Sequence, residues 1–305
     1  MQKSDFYSHG KLLITGEYLV LDQAKALALP TKFGQHLNVK ETDSQFSTWE
    51  SYLSDGSLWY KFEFTINQIC QTSYQPKNDF EERLSQIFKF IRSENSELFI
   101  NEYNFKTHLE FPQNWGLGSS STLINNLAKW SKINPYKLLE NTFGGSGYDI
   151  AAAQSKTALF YTRNDFDPQV KTIQFPEFLK DHIYFIYLNQ KQNSRDAIEH
   201  YRSISQAQKD KSLNEISQIS EEVINVENLE HFEELMKQHE GILEKLLGQQ
   251  KVQDKLFPDY KHGIVKSLGA WGGDFVLVTA KNKGQLSYFK NKAYHTILSY
   301  REMIL

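Results

Sequence analysis

The chain has little of what is typical of secreted, membrane-bound or nucleic-acid-binding proteins. Its 305 residues include one cysteine, Cys70, which excludes an internal disulfide and fits a reducing compartment. No apolar run approaches the length of a membrane span, and no apolar stretch after Lys3 has the form of a secretory signal. The 37 acidic and 34 basic residues give a formal net charge of −3, which provides no general attraction to nucleic acid or anionic membranes. We expect a cytoplasmic monomer or homodimer that acts on a small molecule, with neither nucleic acid nor membrane as a partner.

Several common catalytic motifs are also missing. The nine histidines show no metal-binding spacing such as His-Glu-x-x-His, and no Gly-x-Ser-x-Gly string indicates a serine hydrolase. No Gly-Lys-Ser or Gly-Lys-Thr ends a Walker A loop. Hydrophobic residues make up 40% of the chain and aromatic residues 14%, which is enough for an ordinary packed core.

The most informative segment present is 112–121, Pro-Gln-Asn-Trp-Gly-Leu-Gly-Ser-Ser-Ser. It follows a strand-like segment, 103–111, and precedes a helix-like segment, 122–132. Small residues between a strand and a helix let backbone N–H groups converge, and the start of the helix adds unpaired donors. Such a loop can bind phosphate, and its hydroxyls can bind phosphate oxygens or Mg²⁺. Taken alone, it can equally be a turn followed by a helix cap.

Three further glycine-centred segments lie beside apolar segments. Residues 10–21 and 144–153 are two of them, and the third, 269–274, runs into the apolar 275–278. Four such segments are not expected to be unrelated turns.

In order and content these segments resemble the motifs of the GHMP kinases, the superfamily of galactokinase, homoserine kinase, mevalonate kinase and phosphomevalonate kinase. Residues 112–121 resemble the second motif, Pro-x-x-x-Gly-Leu-Gly-Ser-Ser-Ala, with Ser121 in place of alanine. Residues 10–21 and 269–274 resemble the first and third motifs. The Gly-Tyr-Asp-Ile-Ala string at 147–151 resembles a bacterial branch known by that string, close to mevalonate and phosphomevalonate kinases.

The resemblance implies an ATP-dependent kinase that uses Mg²⁺, and it gives roles to individual residues. Asp149 is the candidate general base, with a turn aspartate bonded to its own backbone as the alternative. Lys11 is the second catalytic candidate and could stabilise Asp149 or meet the transferred phosphate. Ser120 is the implied Mg²⁺ ligand. Glu140 is a candidate second ligand, with a solvated helix face as the alternative. The implied cofactor-binding residues are Trp115, Gly116, Leu117, Gly118, Ser119, Ser120 and Ser121, and the implied substrate-binding residues are Glu17, Ser146, Gly147 and Gly272.

Besides Ser121, four positions depart from the family pattern. Ser8 and His9 stand where Ala-Pro is usual, and Leu268 stands where a hydroxyl residue is common. Trp271 replaces a glycine of the third motif, where its side chain could narrow the nucleotide pocket, stack on the adenine or fill the core.

The acceptor is predicted to belong to the mevalonate pathway. Tyr18 after Glu17, and Asp274 in the third motif, resemble phosphomevalonate kinases, whereas Ser-Gly-x-Asp at 146–149 resembles mevalonate kinases. A phosphorylated acceptor would need extra cations, for which the candidates are Lys32, Arg195 and Lys266. The alternatives are another GHMP-type kinase for homoserine or a sugar, an ATP-dependent decarboxylase, and a nucleotide-binding protein without catalysis.

Strands and helices mix without strict alternation, which predicts an α+β fold. Periodicity predicts strands at 6–14, 34–40, 47–52, 58–65, 103–111, 157–162, 182–188, 275–279 and 294–300, and helices at 79–92, 122–132, 194–208, 213–226, 229–247, 263–268 and 284–292. Polar residues and two prolines make 164–178 the predicted linker. The predicted domains are 1–165 and 166–305. The resemblance implies that the first is related to the second domain of ribosomal protein S5, that the second is ferredoxin-like, and that ATP lies between them.

Overall fold

The computed structural model describes residues 3–190, 194–269 and 273–305, with the side chains of all of these except 3 and 194–197. In the described chain, eleven strands are β1 (Lys3–Thr15), β2 (Ala26–Thr42), β3 (Ser47–Tyr52), β4 (Leu58–Phe64), β5 (Glu102–Leu109), β6 (Leu159–Thr162), β7 (Gln169–Thr172), β8 (Ile183–Tyr187), β9 (Val265–Ser267), β10 (Phe275–Thr279) and β11 (Ile297–Ser299). The α-helices are α1 (Ile66–Ile69), α2 (Asp79–Glu94), α3 (Ser119–Ser131), α4 (Pro135–Glu140), α5 (Tyr148–Gln154), α6 (Ser194–Ser203), α7 (Gln206–Glu222), α8 (Leu229–Leu247), α9 (Val252–Leu256), α10 (Ser287–Asn291) and α11 (Tyr300–Met303).

The strands form two sheets. The first has seven strands in the order β4-β3-β5-β2-β6-β7, with β1 paired to β2, and all pairs are antiparallel except β3 with β5. The second sheet is antiparallel, in the order β11-β8-β10-β9. The predicted α+β class is therefore confirmed.

The buried side chains join the two halves of the chain. The largest cluster combines Leu12 and Leu27 of the first sheet with Phe185 and Leu277 of the second and Phe232 of α8. A second cluster, rich in aromatic rings, packs α2 and α3 on the first sheet around Trp49, Phe88, Phe105 and Trp130. Because one core contains side chains from both halves, their contact surface is part of the hydrophobic interior.

Helix α3 illustrates how the sequence positions the site. Leu123, Ile124 and Leu127 recur at helical spacing and are buried, so they fix the helix on the sheet. The helix begins after Gly118, whose φ of 91° ends the preceding loop, and it ends at Lys132, which is also left-handed. The first turn of α3 is therefore held at the end of the loop 112–118.

Several predicted elements were wrong in detail. Residues 263–268 do not form a helix, because Val265–Ser267 is the buried edge strand β9, and a short apolar run does not distinguish the two. The predicted linker 164–178 contains β7, which pairs with β6 in the first sheet. The helices predicted at 194–208 and 213–226 have a different boundary, because α6 ends before residues 204–205 and α7 begins after them. The last strand ends at Ser299, where a capping box starts α11. The division at residue 165 stays a prediction.

Candidate active site

The loop 112–118 is attached to β1 through backbone contacts. The Lys11 N–H donates to the Leu117 carbonyl at 3.0 Å, and Lys11 Nζ donates to the Gly116 carbonyl at 2.9 Å. A Cβ on Gly10 would lie 2.9 Å from the Leu117 oxygen, closer than real Cβ contacts allow. Glycine at position 10 therefore lets the strand and the loop approach, and this approach places the Lys11 ammonium under the loop.

The start of α3 presents hydrogen-bond donors at the end of this loop. Gly118 provides no side-chain cap, so the N–H groups of the first turn have no side-chain partner from the N-cap residue. Ser120 is exposed and Ser119 is partly exposed, and within the described residues neither hydroxyl forms a hydrogen bond. Ser121 is buried and donates to the Gly118 carbonyl at 2.8 Å. Free donors at the positive end of a helix dipole can bind a phosphate group.

The third motif reaches the same loop from the C-terminal half. A Cβ on Gly116, whose φ is 65°, would lie 1.7 Å from Asp274 Oδ2, so the carboxylate rests directly against this glycine. Trp115 lies edge-on to Phe33 and to Phe275, at centroid distances of 5.8 and 5.4 Å. The loop is thus held between the two halves of the molecule. Trp271 and Gly272 lie outside the described residues.

Lys11 and Asp149 both lie near the loop, and their charges act on each other. Helix α5 begins after Gly147, and the Asp149 carboxylate accepts the Ile150 N–H at 3.1 Å. Both side chains are partly exposed. Burial raises the pKa of Asp149, although Lys11 acts in the opposite direction. An aspartate whose pKa is raised is a stronger base than an ordinary one.

The charge on Lys11 is stabilised by its neighbours. Burial alone would lower the pKa of Lys11, but Tyr148, Asp149 and Asp274 outweigh it, so the pKa is raised. The ammonium lies 5.6 Å from the centre of the Tyr148 ring. Lys11 therefore remains a cation between the loop carbonyl of Gly116 and the carboxylate of Asp149.

Ser146, Gly147 and Glu140 lie on the adjoining surface. The Ser146 carbonyl accepts the Tyr161 hydroxyl, and a Cβ on Gly147 would lie 2.9 Å from the same hydroxyl oxygen. All three residues line a cavity of about 80 Å³. The Glu140 carboxylate lies 3.5 Å from the Arg163 guanidinium, which lines the same cavity. Among the described contacts of Glu140, none is with the loop 112–118.

Glu17 and Lys266 are buried and paired with each other. Lys266 Nζ lies 2.5 Å from Glu17 Oε1, and the two side chains are 0% and 1% exposed. Lys266 was predicted as a cation for a phosphorylated acceptor, and this was wrong for the described conformation because its ammonium is enclosed. Lys32 is exposed and donates to the Arg301 carbonyl at 2.6 Å, and the side chain of Arg195 lies outside the described residues.

Sequence reasoning missed two further members of this cluster, His239 and Glu240. Both lie on the apolar face of α8, together with Met236 and Leu243, and both are buried. Two ionisable residues within an apolar helix face were a signal that could have identified them, because such groups are rarely buried without a partner.

The residues around the loop provide some, but not all, of the groups that would bind a nucleotide with its Mg²⁺. Ser120 provides an accessible oxygen at the start of α3, and Mg²⁺ commonly completes its shell with phosphate oxygens and water. Among the described side chains, no group of three or more His, Cys, Asp or Glu residues is placed to hold a metal ion. Glu140 is engaged by Arg163.

None of the described helices combines the length and the hydrophobicity that crossing a membrane would require.

The fold is shared by several solved kinase structures. Mevalonate kinase from Methanococcus jannaschii matches with a TM-score of 0.70 at 19% identity, covering 97% of each chain. Phosphomevalonate kinase from Streptococcus pneumoniae, solved with phosphomevalonate and AMPPNP, matches with a TM-score of 0.69 at 16% identity, covering 97% of this chain and 99% of that chain. Galactokinase from Lactococcus lactis, solved with galactose, matches at 0.67 and 13% identity, covering 95% and 88%.

Comparison of sequences adds nothing to this likeness, since no family model and no curated protein matches the chain. The structural neighbours belong to the superfamily that the four motifs resemble, and they include both mevalonate and phosphomevalonate kinases. The chain has the GHMP kinase fold.

Proposed function

We propose that this protein is an ATP-dependent small-molecule kinase that phosphorylates mevalonate or phosphomevalonate. One observation supports the proposal most strongly: the Lys11 ammonium is bound to the Gly116 carbonyl of the 116–121 loop, and its charge acts on Asp149, with both residues partly exposed. A phosphate cradle, a fixed cation and a carboxylate of raised pKa are what transfer of a phosphoryl group to a hydroxyl requires.

The proposed reaction assigns each group one task. The loop donors and Ser119 bind the phosphates, and Ser120 is an oxygen ligand for Mg²⁺, which neutralises phosphate charge when bound. Asp149 accepts the proton of the acceptor hydroxyl while the oxygen of that hydroxyl bonds to the γ-phosphorus. The bond between that phosphorus and the bridging oxygen breaks, and ADP leaves with the electron pair. For phosphomevalonate, the attacking atom is a phosphate oxygen, which needs no proton removal when ionised.

Lys11 stabilises the negative charge of the transferring group. Its ammonium is fixed by the Gly116 carbonyl and remains protonated, so it does not need to reorganise as charge develops. The same ammonium also limits the rise in the pKa of Asp149, because its charge opposes the effect of burial.

The choice of acceptor rests on the motifs and on the fold neighbours. Tyr18 after Glu17 is typical of phosphomevalonate kinases, and one neighbour of the same fold was solved with phosphomevalonate. We propose a cytoplasmic location and a monomer or homodimer on the single cysteine and the small-molecule reaction alone.

The test is ATP turnover by purified protein with Mg²⁺ and four acceptors: mevalonate, 5-phosphomevalonate, homoserine and galactose. ADP release is followed by a coupled assay, and the product is identified by mass spectrometry. Phosphorylation of either mevalonate compound supports the proposal. Phosphorylation only of homoserine or galactose would contradict the acceptor, and ATP binding without any turnover would contradict the kinase assignment.

A further inference from the structure

The segment 16–23, which follows β1, has an unusual backbone. Gly16, Tyr18 and Gln23 have positive φ angles of 93°, 63° and 74°. At Tyr18, ψ is −50°, and the Leu19 N–H donates to the Glu17 carbonyl at 2.7 Å, which closes a three-residue turn. This turn is rare and strained for a residue other than glycine. It persists only where the surrounding structure holds it.

Two lysines of the C-terminal half hold the two ends of this segment. Lys266 on β9 pairs with Glu17 at 2.5 Å, and Lys209 on α7 pairs with Asp22 at 3.2 Å. The Lys266 and Lys209 side chains are 0% and 7% exposed. The two pairs are similar in chemistry, but they occupy different surroundings.

The Glu17 end is a closed cluster of four ionisable groups. Lys266 Nζ lies 3.7 Å from Glu240 Oε1, and His239 Nε2 lies 3.1 Å from Glu17 Oε2. The same Nε2 lies 3.1 Å from the Gly16 nitrogen. A neutral imidazole nitrogen either accepts or donates, so it binds the Gly16 N–H or the carboxylate, but not both. Burial and Lys266 lower the pKa of His239, so the ring is neutral.

This cluster does not satisfy all of its buried polar atoms at once. When His239 accepts the Gly16 N–H, three buried atoms of the described structure are left without a hydrogen-bond partner: Glu17 Oε2, His239 Nδ1 and Glu240 Oε1. Unsatisfied buried polar atoms cost free energy, and an apolar cluster of similar volume is often at least as stable. A buried ionic cluster with this cost calls for another explanation, and its position relative to Lys11 offers one.

The Glu17 end leads to the candidate active site through Tyr148. Tyr148 packs against the small cluster that contains Val20, just after the strained turn, and its ring lies near the Lys11 ammonium. Packing therefore connects the Glu17 end to Lys11 through the Val20 cluster and the Tyr148 ring. The Asp22 end instead contacts Tyr201 on α6, whose ring also stacks on Tyr18 at a centroid distance of 5.7 Å.

We propose that Lys266 and His239 are positioning residues for phosphoryl transfer. They hold Glu17 and the Gly16 N–H, and thereby fix the turn at Tyr18, the Tyr148 ring and the Lys11 ammonium. Glu17 then organises the site from beneath and does not touch the acceptor. The reaction affected is the one under Proposed function, on which this inference rests.

The test uses a double variant that removes both charges of the pair, K266M/E17Q. Glu240, whose pKa burial already raises, then lacks the opposing charge of Lys266 and is protonated and neutral, so the variant is expected to fold. The matched control is K209M/D22N, in which the new asparagine can still accept the Tyr201 hydroxyl. Three quantities are measured on both: kcat with the acceptor that the wild type uses, the Kd of an ATP analogue, and amide hydrogen exchange of the peptide covering 15–23.

K266M/E17Q is expected to lower kcat about 10- to 100-fold, as small misplacement of catalytic groups does, and to speed exchange at residues 16–20. Its Kd for the ATP analogue should stay within about two-fold of the wild type, since the loop contacts of Lys11 with Leu117 are unchanged. K209M/D22N should keep kcat within about two-fold of the wild type, whatever its stability. A K266M/E17Q protein with wild-type kcat and wild-type exchange would overturn the inference.

The exchange measurement separates this inference from the proposed function. If the wild type phosphorylates none of the acceptors, the proposed function fails, and hydrogen exchange at residues 16–20 is then the only test of the cluster. Faster exchange in K266M/E17Q than in K209M/D22N then supports the part of the inference that the cluster holds the turn at Tyr18, and equal exchange overturns it.

Discussion

Two lysine–carboxylate pairs include the two end residues of the segment 11–17: Lys11 with Asp149, and Glu17 with Lys266. They differ in their exposure to solvent. Lys11 and Asp149 are partly exposed beside a loop with free donors, whereas Lys266 and Glu17 are enclosed. Access decides what the same chemical groups can do: the first pair can meet a substrate, and the second can only hold the chain in place. Residue type alone therefore does not separate a catalytic pair from a positioning pair.

The largest expected effect breaks the accessible pair. With mevalonate as the acceptor, D149N should lower kcat at least about 100-fold, because a general base typically contributes that much or more. With phosphomevalonate the loss should be smaller, because an ionised phosphate oxygen gives up no proton. The Kd for an ATP analogue should change little, since the nucleotide donors come from the loop and α3. Steady-state kinetics and calorimetric titration measure the two quantities. A D149N protein that still turns over at the wild-type rate would remove Asp149 from the reaction.

Breaking the enclosed pair should instead act on stability. K266M alone leaves the Glu17 carboxylate buried without its cation, which should cost about 3–5 kcal/mol of the free energy of unfolding. Adding E17Q should recover most of this loss, because the second change removes the uncompensated charge. Urea unfolding of the three proteins measures the difference. If K266M is as stable as the wild type, Lys266 does not compensate Glu17.

The enclosed cluster should also give stability a pH dependence. Burial raises the pKa of Glu240 from 4.5 to about 7, against the opposing effect of Lys266, and Glu17 adds to the rise. Between these values the folded state binds more protons than the unfolded state, so stability falls as pH rises through this window. The change corresponds to about 3 kcal/mol, and E240Q should lack it.

Urea unfolding of wild type and E240Q across this pH range measures that contribution. His239, Glu17 and Lys266 are near position 240 in both proteins, so their own contributions to stability largely cancel in the difference. The matched control, E244Q, removes a partly exposed carboxylate one turn along α8, and its curve should run parallel to that of the wild type. Parallel curves for E240Q as well would show that Glu240 does not titrate in this range.

The smallest expected effect concerns the loop. G116A places a methyl group against Asp274 at a φ of 65°, whereas G248A places one in open space at 64°. The strained backbone should cost both variants about 1–2 kcal/mol. Only G116A should lose more than this and weaken binding of an ATP analogue, since only its loop must shift. Equal affinities in the two variants would separate the loop from nucleotide binding.

The sequence predicted the accessible region better than the enclosed one. Gly116, Gly118 and Gly147 adopt positive φ angles, and the motifs that contain them do converge on Lys11. Local signals were sufficient there because glycine turns and helix starts are encoded within a few residues. The fold class followed from the mixture of strands and helices, and the GHMP fold followed from the motifs.

The enclosed cluster could not be predicted in the same way. Glu17 and Lys266 are 249 positions apart, and no local pattern indicates that β9 places Lys266 beside the end of β1. Val265–Ser267 was itself predicted as a helix, because three apolar-flanked residues have no clear period. Pairing between distant strands is a property of the tertiary fold. It determines both that Val265–Ser267 forms a strand and that Lys266 lies beside Glu17.

One measurement tests the central claim most directly: the rate of product formation by wild type, D149N and K266M/E17Q, followed side by side with Mg-ATP and the acceptor that the wild type uses. We predict phosphorylated product in the order wild type, then K266M/E17Q, then D149N, with similar Kd values for an ATP analogue throughout. Equal rates for wild type and D149N with mevalonate as the acceptor would contradict the account, because the accessible pair would then take no part in proton removal from the hydroxyl.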